Sequence, residues 1–323
     1  MGGAGEADQL TSEPGGRRLG LSIPLEQGRL EDLPALVREA EEFGFTDAWS
    51  MEVNRYDAFS PLAAAAAVTG SLRLGTAIAP ALTRPAGLIA MEAAGLAALA
   101  PGRFVLGLGS STQVVVESWL GVAFQPPLQQ VREVALAVRR LLSGERLGNL
   151  RLASPPEQPV PIYLAALGDR MLRLAGELAE GVIFFLAGPR IIPRLLEGVG
   201  RPLDSVARIP VLLGEPTETA ATARRLLVAY ALVPYYARLL ERQGFAEEVQ
   251  AIAELWQAGD RAAAPGQVSD SMLAELVLRG DVEQVAEGVG RYRAAGLGTP
   301  ALAFAGGGDL RPVLKSLTDR LGC

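Results

Sequence analysis

The chain has 323 residues, 49% of them hydrophobic and 20% charged, with a formal net charge of −6. That length suits two ordinary domains or one large α/β barrel, and the negative balance argues against nucleic acid or an anionic membrane surface as the main partner. There is no histidine and one cysteine, the C-terminal Cys323, which excludes Ser-His-Asp and Cys-His catalysis, histidine-ligated zinc and any disulfide within the chain.

Residues 1–18, MGGAGEADQLTSEPGGRR, are polar and glycine-rich and predict a disordered N-terminal tail. They lack the apolar segment of a signal peptide, and Arg17-Arg18 leads only into LGLSIPL, too short for export. The longest apolar stretch, PLAAAAAV, is far short of a membrane span, so a soluble cytoplasmic protein is expected. From Leu19 short apolar runs alternate with helix-period segments. LGLSIPL reads as a strand, and Leu30, Leu33, Leu36, Val37, Ala40 and Phe43 then recur at helical spacing up to Gly44. TDAWS is a second strand; Ser60 before Pro61 predicts an N-cap for the helix SPLAAAAAVTG. LRLGTAIA, RFVLGLG, PIYLAAL, GVIFFLA, ARIPVLLG and TPALAFAG follow as strands three to eight. Helical segments separate them, among them one from Leu128 that sets Val131, Val134, Ala135, Val138, Leu141 and Leu142 on one face.

Alternation of this kind implies parallel strands joined by right-handed crossovers. Eight units favour an α/β fold of the closed (β/α)₈ TIM-barrel type, a single domain over 19–323 with a mostly helical insertion at roughly 215–298, between strands seven and eight. No tandem repeat of solenoid length is present.

In such a barrel the chemistry sits in the loops after each strand. The loop after strand two, SMEVNRYDAF, carries Glu52, Asn54, Arg55, Tyr56 and Asp57; Glu52, nearest the strand, is the candidate functional carboxylate, though any one of these also suits a solvated loop. After strand three come Thr83 and Arg84. After strand four, GLGSSTQVVVESWLG leaves an apolar run through Gly107 and Gly109, where backbone can approach something flat, and offers Ser110, Ser111 and Thr112 as small hydrogen-bonding groups. A tight turn is the plain alternative. Glu117 and Trp119 follow, the tryptophan expected against the barrel rim. After strand five, Gly168, Asp169 and Arg170 open a helix whose free N–H groups suit a phosphate, unless Asp169 caps the helix and fills that place itself. GDRMLR is no GxGxxG fingerprint, and no Walker-type GxxxxGK[ST] exists in the chain. Tyr230, Tyr235, Tyr236 and Trp256 lie in the insertion, as a lid or as ordinary packing.

Three stretches carry a family resemblance: YDAFSPLAAAAAVTGSLRLGTAIAPALTRP, APGRFVLGLGSSTQVVVESWLGVAFQPPLQQVRE and PVPIYLAALGDRMLRLAGELAEGVIF. In order and spacing the chain resembles the bacterial-luciferase-like monooxygenase superfamily over about residues 19–187, and within it the coenzyme F420-dependent oxidoreductases. The resemblance implies a non-proline cis peptide near Ala77–Ile78 and a cofactor ring across strands two to four, touching Glu52, Ala77, Ile78, Gly109, Ser110 and Ser111. It also implies a cofactor phosphate near Gly168, Asp169 and Arg170, a small-molecule substrate, and a homodimer. Hydride transfer between the deazaflavin C5 and an organic substrate is the implied activity, with Glu52 as the catalytic residue and no metal. An FMN-dependent two-component monooxygenase and a non-catalytic cofactor-binding barrel stay open beside it. Two departures bear on the chemistry. Val53 stands where many members have a histidine, and Thr112 where sugar-phosphate-oxidising members have a glutamate, which weighs against sugar-phosphate dehydrogenation.

Overall fold

A computed structural model describes residues 18–306 and 308–323; the expected tail over 1–18 lies outside the described residues except for Arg18. Eight strands form the barrel: β1 (Gly20–Ile23), β2 (Asp47–Ser50), β3 (Arg73–Thr76), β4 (Phe104–Gly109), β5 (Ile162–Ala165), β6 (Gly181–Phe185), β7 (Asp204–Leu213) and β8 (Thr299–Ala305). Each pairs in parallel with the next, and β8 closes the ring by pairing with both β7 (Thr299↔Val206 through Ala305↔Leu212) and β1 (Gly20↔Ala301). The near-continuous apolar strand sequences are those of a parallel sheet buried on both faces.

The connecting helices show why the sequence periods are helical. In α1 (Leu33–Phe43) the buried residues Leu33, Val37 and Ala40 fall on one face, and Gly44, at φ 107°, ends the helix in the left-handed region glycine tolerates. Helix α2 (Ser60–Ala66) departs from expectation at its start. Ser60 is its first residue rather than its cap, and Asp57 Oδ1 accepts from both Phe59 N and Ser60 N at 2.8 Å, meeting the orphan amides from one turn upstream. Helices α3 (Ala86–Leu99), α4 (Pro127–Leu142), α5 (Asp169–Leu178) and α6 (Ile192–Val199) continue the outer ring.

The stretch expected as one insertion divides by what it packs against. Helices α7 (Pro216–Ala231), α8 (Pro234–Arg242), α9 (Ala246–Gln257) and α10 (Asp270–Leu276) build a separate core from Ala223, Leu227, Leu240, Ile252, Met272 and Leu273. Helix α11 (Val282–Ala294) instead buries Val285, Val289 and Tyr292 in the main barrel core, as does α12 (Arg311–Leu321) with Leu314 and Leu317. The insertion core meets the barrel at Phe185, Leu186, Leu212 and Ala305, the C-terminal ends of β6 to β8.

Inside the barrel the middle layer is apolar: Trp49, Val105, Ile183, Val206 and Ala301. Trp49 fits because Gly75 has no side chain; a Cβ there would lie 2.2 Å from the indole Cζ3. Below that layer, at the N-terminal strand ends, Arg73 is held by Asp47, by Asp204 (2.5 Å), by the Tyr163 hydroxyl (3.1 Å) and by Thr299 Oγ1 (3.1 Å). This polar plug closes the bottom face, where barrels keep stability rather than catalysis.

Candidate active site

The other end of the barrel is open, and its geometry begins with an interruption. The strand read as LRLGTAIA breaks after Thr76; the Ala77–Ile78 peptide is cis, and pairing with β4 resumes only at Ala79–Pro80. Across the gap the Thr76 hydroxyl replaces the ladder, donating to Gly107 O at 2.7 Å and accepting from Gly107 N at 2.8 Å. Ala77 is tied back to β2 through its N–H to Ser50 O at 2.5 Å. Ala77, Ile78 and Ala165 are consequently half-buried, packed on the inner cluster and turned to the mouth as an apolar shelf. Gly109 keeps that shelf clear, since a Cβ there would sit 2.9 Å from Ile78 Cγ1 and 3.1 Å from Ala165 Cβ. Beyond Gly109, Ser110 donates to Ser111 O at 3.1 Å, and Ser111 is left-handed at φ 58°. A non-glycine residue held there costs about 1–3 kcal/mol, and such residues gather at working sites.

Glu52 stands at the end of β2. Its Oε2 accepts from Ala58 N at 3.1 Å and from Arg84 Nη2 at 2.6 Å, while Oε1 bonds to no described residue. Arg84 reaches on to Glu92 at 2.6 Å and stacks over Phe59 at 5.4 Å. Burial alone would lower the Arg84 pKa, but the Glu52 and Glu92 carboxylates outweigh it and hold the guanidinium above its usual range. For Glu92 burial prevails and raises the pKa despite Arg84. For Asp57 burial pushes upward too, yet the bonds from Ser60 and Phe59 hold it below the ordinary value. Thr83 Oγ1, Arg84 Nε and Glu92 Oε2 remain buried without a partner among the described residues, so this rim is polar and incompletely satisfied.

At the end of β5, Gly168, Asp169 and Arg170 are exposed, and no hydrogen bond ties their N–H groups to other described residues. The capping alternative for Asp169 does not occur. Gly168 occupies the cap position of α5 without a side-chain bond, and the Asp169 carboxylate is drawn aside to Arg242 of α8 at 2.9 Å. The first turn of the helix is therefore open to an anion.

The sequence-selected residues thus fall at the ends of four consecutive strands: Glu52 on β2, Ala77 and Ile78 on β3, Gly109 to Ser111 on β4, Gly168 to Arg170 on β5. One other expectation fails. Trp119 lies in a π-helix, Val114–Trp119, and is 52% exposed rather than packed on the rim, because Val115 and Val116 take the inward face. Of the four insertion aromatics only Tyr230 and Tyr236 gather at the mouth, edge-on to Phe185 at 5.0 and 5.7 Å; Tyr235 lies beside Arg238, and Trp256 lines a separate groove of about 750 Å³ with Arg224, Val228 and Arg261. Reading the loops missed Arg208, which points inward from the middle of β7; the signal was a charge inside the apolar run ARIPVLLG.

An apolar shelf, a paired carboxylate and an open helix start lie together at the C-terminal end of a closed (β/α)₈ barrel, the face on which barrel enzymes carry their active sites. The luciferase-like monooxygenase model matches residues 14–299, and the chain belongs to that family. A putative coenzyme F420-dependent oxidoreductase of Mycobacterium tuberculosis is 27% identical over 303 residues, covering 81% of this chain and 87% of that protein. A 5,10-methylenetetrahydromethanopterin reductase of Methanolobus tindarius is 28% identical over 256 residues, covering 72% and 78%. Among solved structures, the coenzyme F420-dependent tetrahydromethanopterin reductase of Methanopyrus kandleri aligns with a TM-score of 0.71 at 22% identity, over 94% of this chain and 98% of that one. An EDTA monooxygenase of Chelativorans aligns at 0.66 and 14% identity, over 94% and 93%. At those identities the two structures bear on fold alone.

Proposed function

We propose that the protein is a coenzyme F420-dependent oxidoreductase that moves a hydride between the deazaflavin and a small organic substrate. One observation carries the reading: an apolar shelf of Ala77, Ile78 and Ala165, kept clear by Gly109, lies on the same rim as the open first turn of α5. A flat ring needs the first and a phosphate the second. The name of the Mycobacterium tuberculosis relative supports deazaflavin over flavin, whereas the fold neighbours include both F420-dependent enzymes and monooxygenases.

When bound, the cofactor supplies a carbon centre that accepts or gives a hydride. The chain's own groups do the rest. The shelf holds the ring and keeps water from one face, and the amides of Gly168, Asp169 and Arg170 hold the phosphate. Glu52 is the proton-handling group in a chain without histidine: Arg84 and Ala58 N fix Oε2, which leaves Oε1 to take a proton from a substrate that loses hydride or to return one to a substrate that gains it.

Parallel fluorescence titrations with coenzyme F420 and FMN test this. The deazaflavin is expected to bind at least about tenfold tighter, a difference of about 1.4 kcal/mol. Preference for FMN would move the protein to the two-component monooxygenases, and binding of neither would leave a barrel without this chemistry. A homodimer belongs to the same reading. Leu88, Met91 and Leu99 of α3 and Leu136 of α4 are apolar and exposed, which supports pairing through that face, and sedimentation velocity of the wild type against Met91→Glu tests it.

A further inference from the structure

The barrel mouth holds a cation whose charge no other described residue neutralises. Arg208 projects inward from β7 one layer above Val206, and its Nε donates to Ser22 Oγ of β1 at 3.0 Å. It makes no ion pair with any described carboxylate, whereas Arg73 and Arg84 each face two. Glu26, whose charge bears on it less than the two tyrosines do, is an exposed residue of the β1–α1 loop and no ion-pair partner. Burial draws the Arg208 pKa below the usual arginine range, although a guanidinium stays protonated at any working pH. Arg208 is half-buried, and a neutral hydroxyl does not balance a charge partly withdrawn from water, so a ligand that brings the opposite charge would be favoured there.

Its surroundings describe what that something is. The guanidinium lies 5.1 Å from the centre of the Phe185 ring, and Phe185, Tyr230 and Tyr236 form an edge-to-face trio with centroids 4.9 to 5.7 Å apart. Neither phenol hydroxyl bonds to another described residue, and burial raises both phenol pKa values, so both stay protonated as donors. One positive fork and two phenols thus lie in the same corner of the mouth, with the Phe185 ring as an aromatic wall alongside. A single carboxylate, planar and singly charged, matches one fork in geometry and in charge; a phosphate dianion would leave one negative charge unmet.

We propose that Arg208, with Tyr230 and Tyr236, forms a substrate subsite for an organic carboxylate whose apolar body lies against Phe185. The subsite faces the mouth from β7 and the insertion, across the barrel from the shelf at β3 to β5, and as a substrate subsite it rests on the oxidoreductase reading. It also gives the insertion a role, since α7 and α8 deliver the two phenols that complete a site the barrel only begins.

The test is binding of benzoate, benzamide and phenyl phosphate to the full-length protein, with and without coenzyme F420, by calorimetry. Wild type is expected to hold benzoate about tenfold tighter than its neutral isostere benzamide, the ratio a buried charged hydrogen bond gives. Arg208→Met should erase that preference while its affinity for coenzyme F420 stays within about twofold, the same measurement showing that the variant is folded. Tyr236→Phe should weaken benzoate a few-fold and leave benzamide alone, which keeps the proposal testable should Arg208→Met fail to fold. Equal affinity for benzoate and benzamide in the wild type, retention of the preference in Arg208→Met, or tighter binding of phenyl phosphate would each overturn the carboxylate subsite. A protein that binds benzoate selectively but not coenzyme F420 would keep the anion subsite and remove the cofactor reading; the reverse result would do the opposite.

Discussion

Replacing Arg73 by methionine is the most informative single perturbation of the barrel itself. Arg73 is 5% exposed and joins Asp47 and Asp204, which with Tyr163 and Thr299 seal the N-terminal face. Burial disfavours the charge on Arg73, but Asp47, Tyr163 and Asp204 offset this and hold the pKa above its ordinary value. Methionine fills most of the volume yet leaves two carboxylates in the barrel with Arg18, 3.7 Å from Asp47, as the remaining cation. Stranding a buried charge in this way costs about 3–5 kcal/mol. A domain of about 300 residues unfolds with an entropy of roughly 0.6 kcal/mol/K, so Tm should fall by about 5–8 °C. The sign with pH follows from Asp204, which burial pushes up but Arg73 and Tyr163 hold below the ordinary value. A lowered carboxylate pKa contributes stability above the unfolded value, about 3.9 for Asp, and loses it as pH falls through the folded value. The variant's deficit should therefore be largest at pH 7 and narrow below about pH 4. Urea unfolding at both pH values measures it, with Arg73→Met/Asp47→Asn/Asp204→Asn as the control expected to regain about half. A deficit under about 1 kcal/mol, or a triple variant no better than the single one, would refute the view that the plug is held by compensated charge.

Five further substitutions, at four positions, separate roles that lie close together. Gly109→Ala aims a Cβ at the movable end of Ile78 and at Ala165, so it should keep the fold and weaken coenzyme F420 by about tenfold in a fluorescence titration; Gly107→Ala drives a Cβ to 1.8 Å from Thr76 O, a backbone atom, and should instead lower stability by about 3 kcal/mol or more. Arg84→Met removes the shared partner of Glu52 and Glu92, so the Glu92 pKa, already raised by burial, should rise further and the stability deficit, about 1–3 kcal/mol at pH 7, should shrink as pH falls through the carboxylate range, a trend that urea unfolding at pH 7 and 4.5 resolves. Ser111→Gly should be tolerated or slightly stabilising, because φ is already 58°, whereas Ser111→Val should lose about 1–2 kcal/mol in thermal unfolding.

Much of this molecule is legible in its sequence. Alternating short apolar runs with helical periods leaves few ways to bury both faces of each strand, so the barrel and its C-terminal rim follow from pattern alone, and Glu52, Gly109 and Gly168 could be placed on that rim by counting strands, whereas Ala77 and Ile78 came only from the family resemblance. Local chemistry went only so far. Asp57 rather than Ser60 meets the first amides of α2, and Asp169 turns to Arg242 instead of capping α5, because each carboxylate chose among partners that are distant in sequence or one turn away. Only the closed tertiary structure decided that Arg73 and Arg208, two arginines in strand sequences of similar look, have opposite fates. The first meets Asp47 and Asp204 across the barrel and is neutralised. The second meets Ser22, Phe185 and two tyrosines, which have no charge to give. Hydrophobic period is a property of neighbours along the chain, whereas charge compensation is a sum over neighbours in space, and ring closure alone brings those together.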